Sequence, residues 1–311
     1  MNRVKRKSDY RFSEQLVAYG PQAQHPPPSL AEAEHYCRWL AGAHAENFSL
    51  IQRGLPRLLR QPFCNVYAYC RWADDLADET GNPQASLALL DWWEDGLNRC
   101  YFGSATHPVY VALRETAHRF DLPQKPLHDL LKAFRRDQCD TRYESVEQVL
   151  DYCCYSANPV GRIVLHLAGC DDPDCQRWSD SICTGLQLAN FCQDVARDYA
   201  RGRIYLAHEV WARHGWTEAD FVVGRATDTW RSLLAEEVER AESFLNAGGP
   251  LVARMPVGLR WQTWLFQHGG FAILREIRRA RYDIWSRRPV VGKVTKLGLL
   301  LQAVLATWKL R

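Results

Sequence analysis

Two stretches of this chain carry matching polar residues at helical spacing, and few folds can use both. In the first, Tyr67, Arg71, Asp74 and Asp78 fall at offsets 0, +4, +7 and +11. In the second, Gln187, Asn190, Asp194 and Asp198 fall at 0, +3, +7 and +11. Neither stretch contains a proline. At 3.6 residues per turn, each set lines one face of a helix. Aspartates four residues apart repel by about 0.2–0.5 kcal/mol on an exposed helix, and the flanking residues (Trp72, Ala73 and Leu76; Leu188, Phe191 and Val195) are apolar. The stripes are therefore expected to face surroundings drier than bulk water, where a carboxylate needs a counter-charge. A hard divalent cation such as Mg2+, with its own waters and a phosphate ligand, would supply it. One such acid pair is most simply a solvated helix face; two matched pairs with arginines close by point to a site.

The rest of the chain reads as helices separated by Gly and Pro, with no useful length of period-2 alternation, so the expected fold is all-α. Residues 1–28 end in Pro26-Pro27-Pro28 and read as a mobile N-terminal arm. Ser29 with Glu32 makes a capping-box pattern that opens a helix to about Gly42. A short helix over 44–54 carries Phe48. Pro56 then opens the long helix of the first stripe, which Gly81-Asn82-Pro83 closes. Helical patterns follow over 84–102, 108–119, 126–137 and 145–169. The last contains Asn158-Pro159-Val-Gly161-Arg162, either a kink or a break between two shorter helices. The second stripe's helix runs to Gly202, and helices near 208–214, 227–247, 253–285 and 292–309 complete the pattern. No composition shift or repeat marks a second domain, so 29–311 is taken as one catalytic domain. Antiparallel helices in such a domain can face their stripes across a central cavity, where aspartates of two helices meet the same metals.

Composition narrows the partners. A net charge of +3 over 311 residues is too weak for general nucleic-acid binding. The charge is concentrated: residues 275–296 hold Arg275, Arg278, Arg279, Arg281, Arg287, Arg288, Lys293 and Lys296 against Glu276 and Asp283 alone. Such a block needs an anion, either a phosphate ligand or a membrane surface. The apolar run 297–308 is too short to span a bilayer, which leaves peripheral association as the expectation. Eleven cysteines without a C-x-x-C pair, and a basic start (Arg3, Lys5, Arg6, Lys7) without an apolar segment, point to a reducing cytoplasm. No G-x-G-x-x-G occurs, which excludes a Rossmann nicotinamide site.

These words resemble the squalene and phytoene synthases, head-to-head trans-prenyltransferases of the all-α isoprenoid synthase fold, over residues 30 to 300. Tyr67-x3-Arg71-x2-Asp74-Asp75-x2-Asp78-Glu79 is similar to the family's first aspartate-rich motif. Gln187-x2-Asn190-x3-Asp194-x3-Asp198, continuing to Arg203-Ile-Tyr205, is similar to the second. The resemblance implies a prenyl diphosphate substrate and Mg2+ held by Asp74, Asp78, Asp194 and Asp198, with Asn190 and Gln187 beside them. It implies phosphate contacts from Arg71, Arg203, Tyr205, Arg288 and Lys296, and aromatic lining of the prenyl cavity from Phe48 and Tyr152, with Tyr67 a further aromatic face. Asp75 and Glu79 are expected one helix face away from the metal.

Within the family, the words around Asn47-Phe48, the first motif, Ser156-Ala-Asn158-Pro159-Val-Gly161-Arg162 and the second motif are most similar to bacterial hydroxysqualene synthases of hopanoid formation. That subgroup ionises presqualene diphosphate and quenches the cation with water. Asn158 is the candidate to place that water; its other reading is an amide capping the broken helix. Gln193 stands where the family often has Arg, Ala45 where a serine is common, and Gly270-Phe271 where a tyrosine often occurs. The alternatives are a condensing enzyme making presqualene diphosphate, squalene, dehydrosqualene or phytoene, and a non-catalytic assembly protein of the same fold.

Overall fold

The computed structural model describes residues 10–44, 54–170 and 172–308, and all regular structure among them is α-helical. Phe48 and the expected short helix over 44–54 fall largely outside those residues. The chain packs as two compact units, one ending at Cys139 and one beginning at Asp140, a division that no composition shift announces.

In the first unit, α1 spans Phe12–Tyr19, α2 Leu30–His44, α3 Arg57–Asp78, α4 Pro83–Tyr101, α5 Pro108–Phe120 and α6 Lys125–Cys139. The capping box expected at Ser29 and Glu32 is present. The Ser29 N–H and hydroxyl both donate to Glu32 Oε2, at 2.9 and 2.7 Å. The Asn82 side chain accepts from the N–H groups of Gln84 and Ala85, and Pro83 follows at the first helical position. The helices close on an aromatic core in which Trp72 and Trp93, both fully buried, stack at 5.3 Å. Burial of each such ring contributes about 2–3 kcal/mol. The expectation of an arm is corrected for residues 10–19. Helix α1 buries Phe12 edge-on against Trp72, and Tyr19 packs on Tyr36. Trp72 lies 60 residues beyond Phe12 and Tyr36 lies 17 beyond Tyr19, so no local pattern signals the docking.

In the second unit, α7 spans Val146–Ser156, α8 Asn158–Ala168, α9 Pro173–Ala200, α10 His208–Arg213, α11 Glu218–Val223, α12 Asp228–Ala247, α13 Leu251–Arg254, α14 Arg260–Arg279 and α15 Lys293–Trp308. Between the two readings of the 158–159 step, the structure takes the break. Ala157 (φ −121°, ψ −52°) separates α7 from α8, and no side chain caps α8. The close approach at Gly161 is to a neighbouring helix, since a Cβ there would lie 2.3 Å from Ser179 Oγ and 2.6 Å from Cys183 Sγ on α9. The expected single helix over 253–285 is also corrected, being interrupted by Pro256 and ended after Arg279, where Arg281 and Tyr282 adopt left-handed conformations (φ 52° and 60°). All eleven cysteines are free thiols; Cys139 in the first unit and Cys154 in the second are exposed.

Candidate active site

The first stripe lies along α3. Trp72, Ala73 and Leu76 are fully buried on its inner side, while Tyr67, Arg71 and Asp74 are half-buried and Asp78 exposed. The Arg71 guanidinium lies between two acids. Its Nη1 is 2.9 Å from Asp74 Oδ2, its Nε donates to Asp75 Oδ2 at 3.1 Å, and its Nη2 donates to Asp75 Oδ1. Asp75 is wholly buried and also accepts the Tyr10 hydroxyl at 2.5 Å. Burial opposes the charge on Arg71, but the hydrogen bond and charge of Asp75 outweigh it and push the guanidinium above its ordinary value. Burial likewise pushes up the phenols of Tyr67 and Tyr10, so both keep their protons. Asp75 thus holds Arg71, and Arg71 presents its free edge to Asp74. A cleft of about 660 Å³ within this unit is lined by Tyr10, Arg71, Asp75, Glu79, Thr80 and Leu89.

The second stripe lies along α9, with Leu188, Phe191 and Val195 buried, Asn190 exposed, and Gln187, Asp194 and Asp198 half-buried. Arg288, from the irregular segment between α14 and α15, grips Asp194 with two prongs, Nε to Oδ1 at 2.5 Å and Nη2 to Oδ2 at 2.7 Å. Its Nη2 also donates to Gln193 Oε1 at 2.8 Å, and the buried Gln193 donates Nε2–H to the Pro289 carbonyl at 2.5 Å. The hydrogen bond to Asp194, partly opposed by burial, raises the Arg288 guanidinium above its ordinary value.

Past the end of α9, Gly202 turns the chain with φ +79°, a conformation that suits glycine. The Arg203 N–H bonds to the Asp198 carbonyl at 2.8 Å, and the Ile204 N–H to that of Thr141 at 2.9 Å. Tyr205 stacks on Phe191 at 4.3 Å and lies 5.4 Å from the buried Tyr152, so Tyr152 and Tyr205 share one aromatic cluster. Lys296 is exposed in the first turn of α15. Asn158 is buried and accepts the Thr184 hydroxyl at 3.0 Å instead of capping α8. Sequence reasoning missed Tyr10, for which no local signal exists. It marked Gln193 only as a departure.

The donors fit a hard divalent cation. Both stripes offer carboxylate oxygens, and at Asp194 a guanidinium already occupies the place of a cation. Among the described residues a different group, Cys170, Asp172 and Cys175, brings three metal-competent side chains within 4.8 Å. There the Asp172 carboxylate already caps α9 through the N–H groups of Asp174 and Cys175 and pairs with Arg254.

A family model described as squalene/phytoene synthase matches residues 41–295. The chain belongs to that family. Its members are head-to-head prenyltransferases, and the solved relatives share the all-α fold. The structure of squalene synthase HpnC from Alicyclobacillus acidocaldarius is 43% identical, with a TM-score of 0.78, covering 82% of this chain and 96% of that one. A dehydrosqualene synthase solved with a ligand is 25% identical, with a TM-score of 0.82, covering 90% and 98%. A phytoene synthase of Arthrospira platensis is 31% identical over 287 residues, 88% of this chain and 93% of its own.

Proposed function

We propose that the chain ionises a prenyl diphosphate with Mg2+ held by Asp74, Asp78, Asp194 and Asp198, and that it converts presqualene diphosphate to hydroxysqualene. One observation carries the ionising chemistry. In each unit a guanidinium lies against a motif aspartate (Arg71 on Asp74, Arg288 on Asp194), so carboxylates for a cation stand beside donors for a phosphate. The particular product draws on the 43% identity to squalene synthase HpnC.

Mg2+ bound there supplies Lewis-acid stabilisation of the leaving diphosphate. Arg71, Arg203, Arg288, Lys296 and Tyr205 donate to its oxygens, which needs no proton transfer. Gln187 and Asn190 orient the same group. The carbon–oxygen bond breaks with its electron pair leaving on diphosphate, and aromatic faces at Phe48, Tyr67 and Tyr152 attract the cation by about 0.5–2 kcal/mol each. A lone pair of water closes on the rearranged carbocation, and the water's proton passes to diphosphate or solvent. The balance is presqualene diphosphate plus water to a C30 alcohol plus diphosphate, with no change of redox state and no reductant. Asn158 places the water through its NH2 group, since its carbonyl oxygen already holds Thr184.

The second reading is head-to-head condensation of two farnesyl or geranylgeranyl diphosphates, favoured by the likeness to phytoene and dehydrosqualene synthases. A non-catalytic role leaves both intact aspartate pairs unexplained. Incubation with presqualene diphosphate and Mg2+ in 18O-water is the test. A labelled C30 alcohol should form without NADPH, and Asn158→Ala should shift the products toward elimination. An unlabelled alcohol sinks water capture, and hydrocarbon formed from farnesyl or geranylgeranyl diphosphate moves the chain to the second reading.

A further inference from the structure

Arg288 takes both oxygens of Asp194, with Arg197 Nη1 a further 3.8 Å from Oδ1, so a hard cation drawing on that carboxylate competes with the two-pronged guanidinium for its charge and favours the release of a prong. The released guanidinium needs a new anion, because an unpaired half-buried charge beside an incoming cation is unfavourable. A diphosphate arriving with the metal is such an anion, and guanidinium binds its oxygens as readily as a carboxylate's. Gln193 makes the exchange local. Its amide is buried, and it pins the Pro289 carbonyl on one side and Arg288 Nη2 on the other, so the released arginine stays within reach. Arg71 in the first unit is built differently. The buried Asp75 holds it firmly, and it meets Asp74 with Nη1 from that fixed position.

We propose that Arg288 is a latch on Asp194, positioned by Gln193, that trades the carboxylate for diphosphate and so makes metal and diphosphate bind cooperatively. This rests on the metal–diphosphate reading of the second motif. Its distinguishing consequence is a sign. Removing the latch should strengthen binding of metal alone while weakening the effect of diphosphate upon it. Reciprocity requires the same loss when metal's effect on diphosphate is measured.

Mn2+ binding, followed by electron paramagnetic resonance on the full chain, tests this with and without inorganic diphosphate, allowing for the complex the two form in solution. The wild type should gain at least about tenfold in Mn2+ affinity when diphosphate is present. Arg288→Gln should bind Mn2+ alone about three- to tenfold more tightly than wild type and lose most of that gain, with Gln193→Ala between the two. Circular dichroism checks folding, and Arg288→Lys, which keeps the charge without the two-pronged grip, substitutes if Arg288→Gln does not fold. Unchanged or weaker binding of Mn2+ alone in the latch variants overturns the latch. Retention of all Mn2+ binding by Asp194→Asn overturns the metal reading itself, and the latch with it.

Discussion

Neighbouring acids of the first motif have different jobs. Asp74 is half exposed beside Arg71, whereas Asp75 is wholly buried and takes both Arg71 and the Tyr10 hydroxyl. Asp74→Asn should therefore abolish turnover and change stability by no more than about 0.5–1 kcal/mol, the range of exposed pairs. Asp75→Asn should cost about 1.5–3 kcal/mol, because it weakens a buried charged hydrogen-bond centre. Urea unfolding set beside product formation separates them. Equal stability in the two variants, or near-normal turnover in Asp74→Asn, would contradict this division. The sequence spacing separated these acids onto different faces of α3. It could not show that Asp75 holds Arg71 from below, because Tyr10 approaches from 65 residues away.

At the scale of the element, helix boundaries were legible where local words mark them, as with Ser29 and Glu32 at the start of α2 or Gly81-Asn82-Pro83 between α3 and α4. They were illegible where the helix stops for tertiary reasons. No glycine marks the end of α14; Arg281 and Tyr282 take the left-handed turn themselves, and the Tyr282 carbonyl accepts Trp230 Nε1–H on α12 at 2.9 Å. Helix α11 opens with a Thr217–Asp220 capping box that six residues of helix made easy to overlook. At Gly161 there is no room for a side chain, because Ser179 and Cys183 of α9 pack against its Cα. Gly161→Ala should force those side chains aside and cost about 1–3 kcal/mol, lowering the urea midpoint. An unchanged midpoint would mean that α8 and α9 pack more loosely than the distances show.

At the scale of the whole molecule, both aspartate stripes were readable because a helix repeats its faces with a fixed period. The pairing of Arg288 with Asp194 was not, because 94 residues of chain separate them. The basic block likewise resolves only in three dimensions. Arg278 pairs with Glu242 and Arg279 with Glu276, while Arg287, Lys293 and Lys296 stay exposed. Beside them α15 buries Leu299 and Ala303 and exposes Val294 (86%), Leu297 (60%), Leu301 (59%) and Leu305 (59%) on the opposite face. No helix among the described residues is long and apolar enough to cross a membrane. An apolar face with lysines at its start suits the surface of an anionic bilayer, where lipid substrates and products reside. The chain should float with anionic vesicles at about 0.1 M salt and bind neutral ones less, and added salt should weaken it. Leu297→Glu with Leu301→Glu should abolish the binding. Flotation indifferent to salt and lipid charge would remove the electrostatic part.

The free thiols have a practical consequence. Burial pushes Cys70 and Cys183 up to about 12, which leaves them protonated and slow to react near neutral pH. Cys139 and Cys154 are exposed, one at the close of the first unit and one early in the second. Nitroxide tags attached there would turn two native sulfurs into a ruler, reading the separation of the units in frozen solution before and after Mg2+ and diphosphate are added.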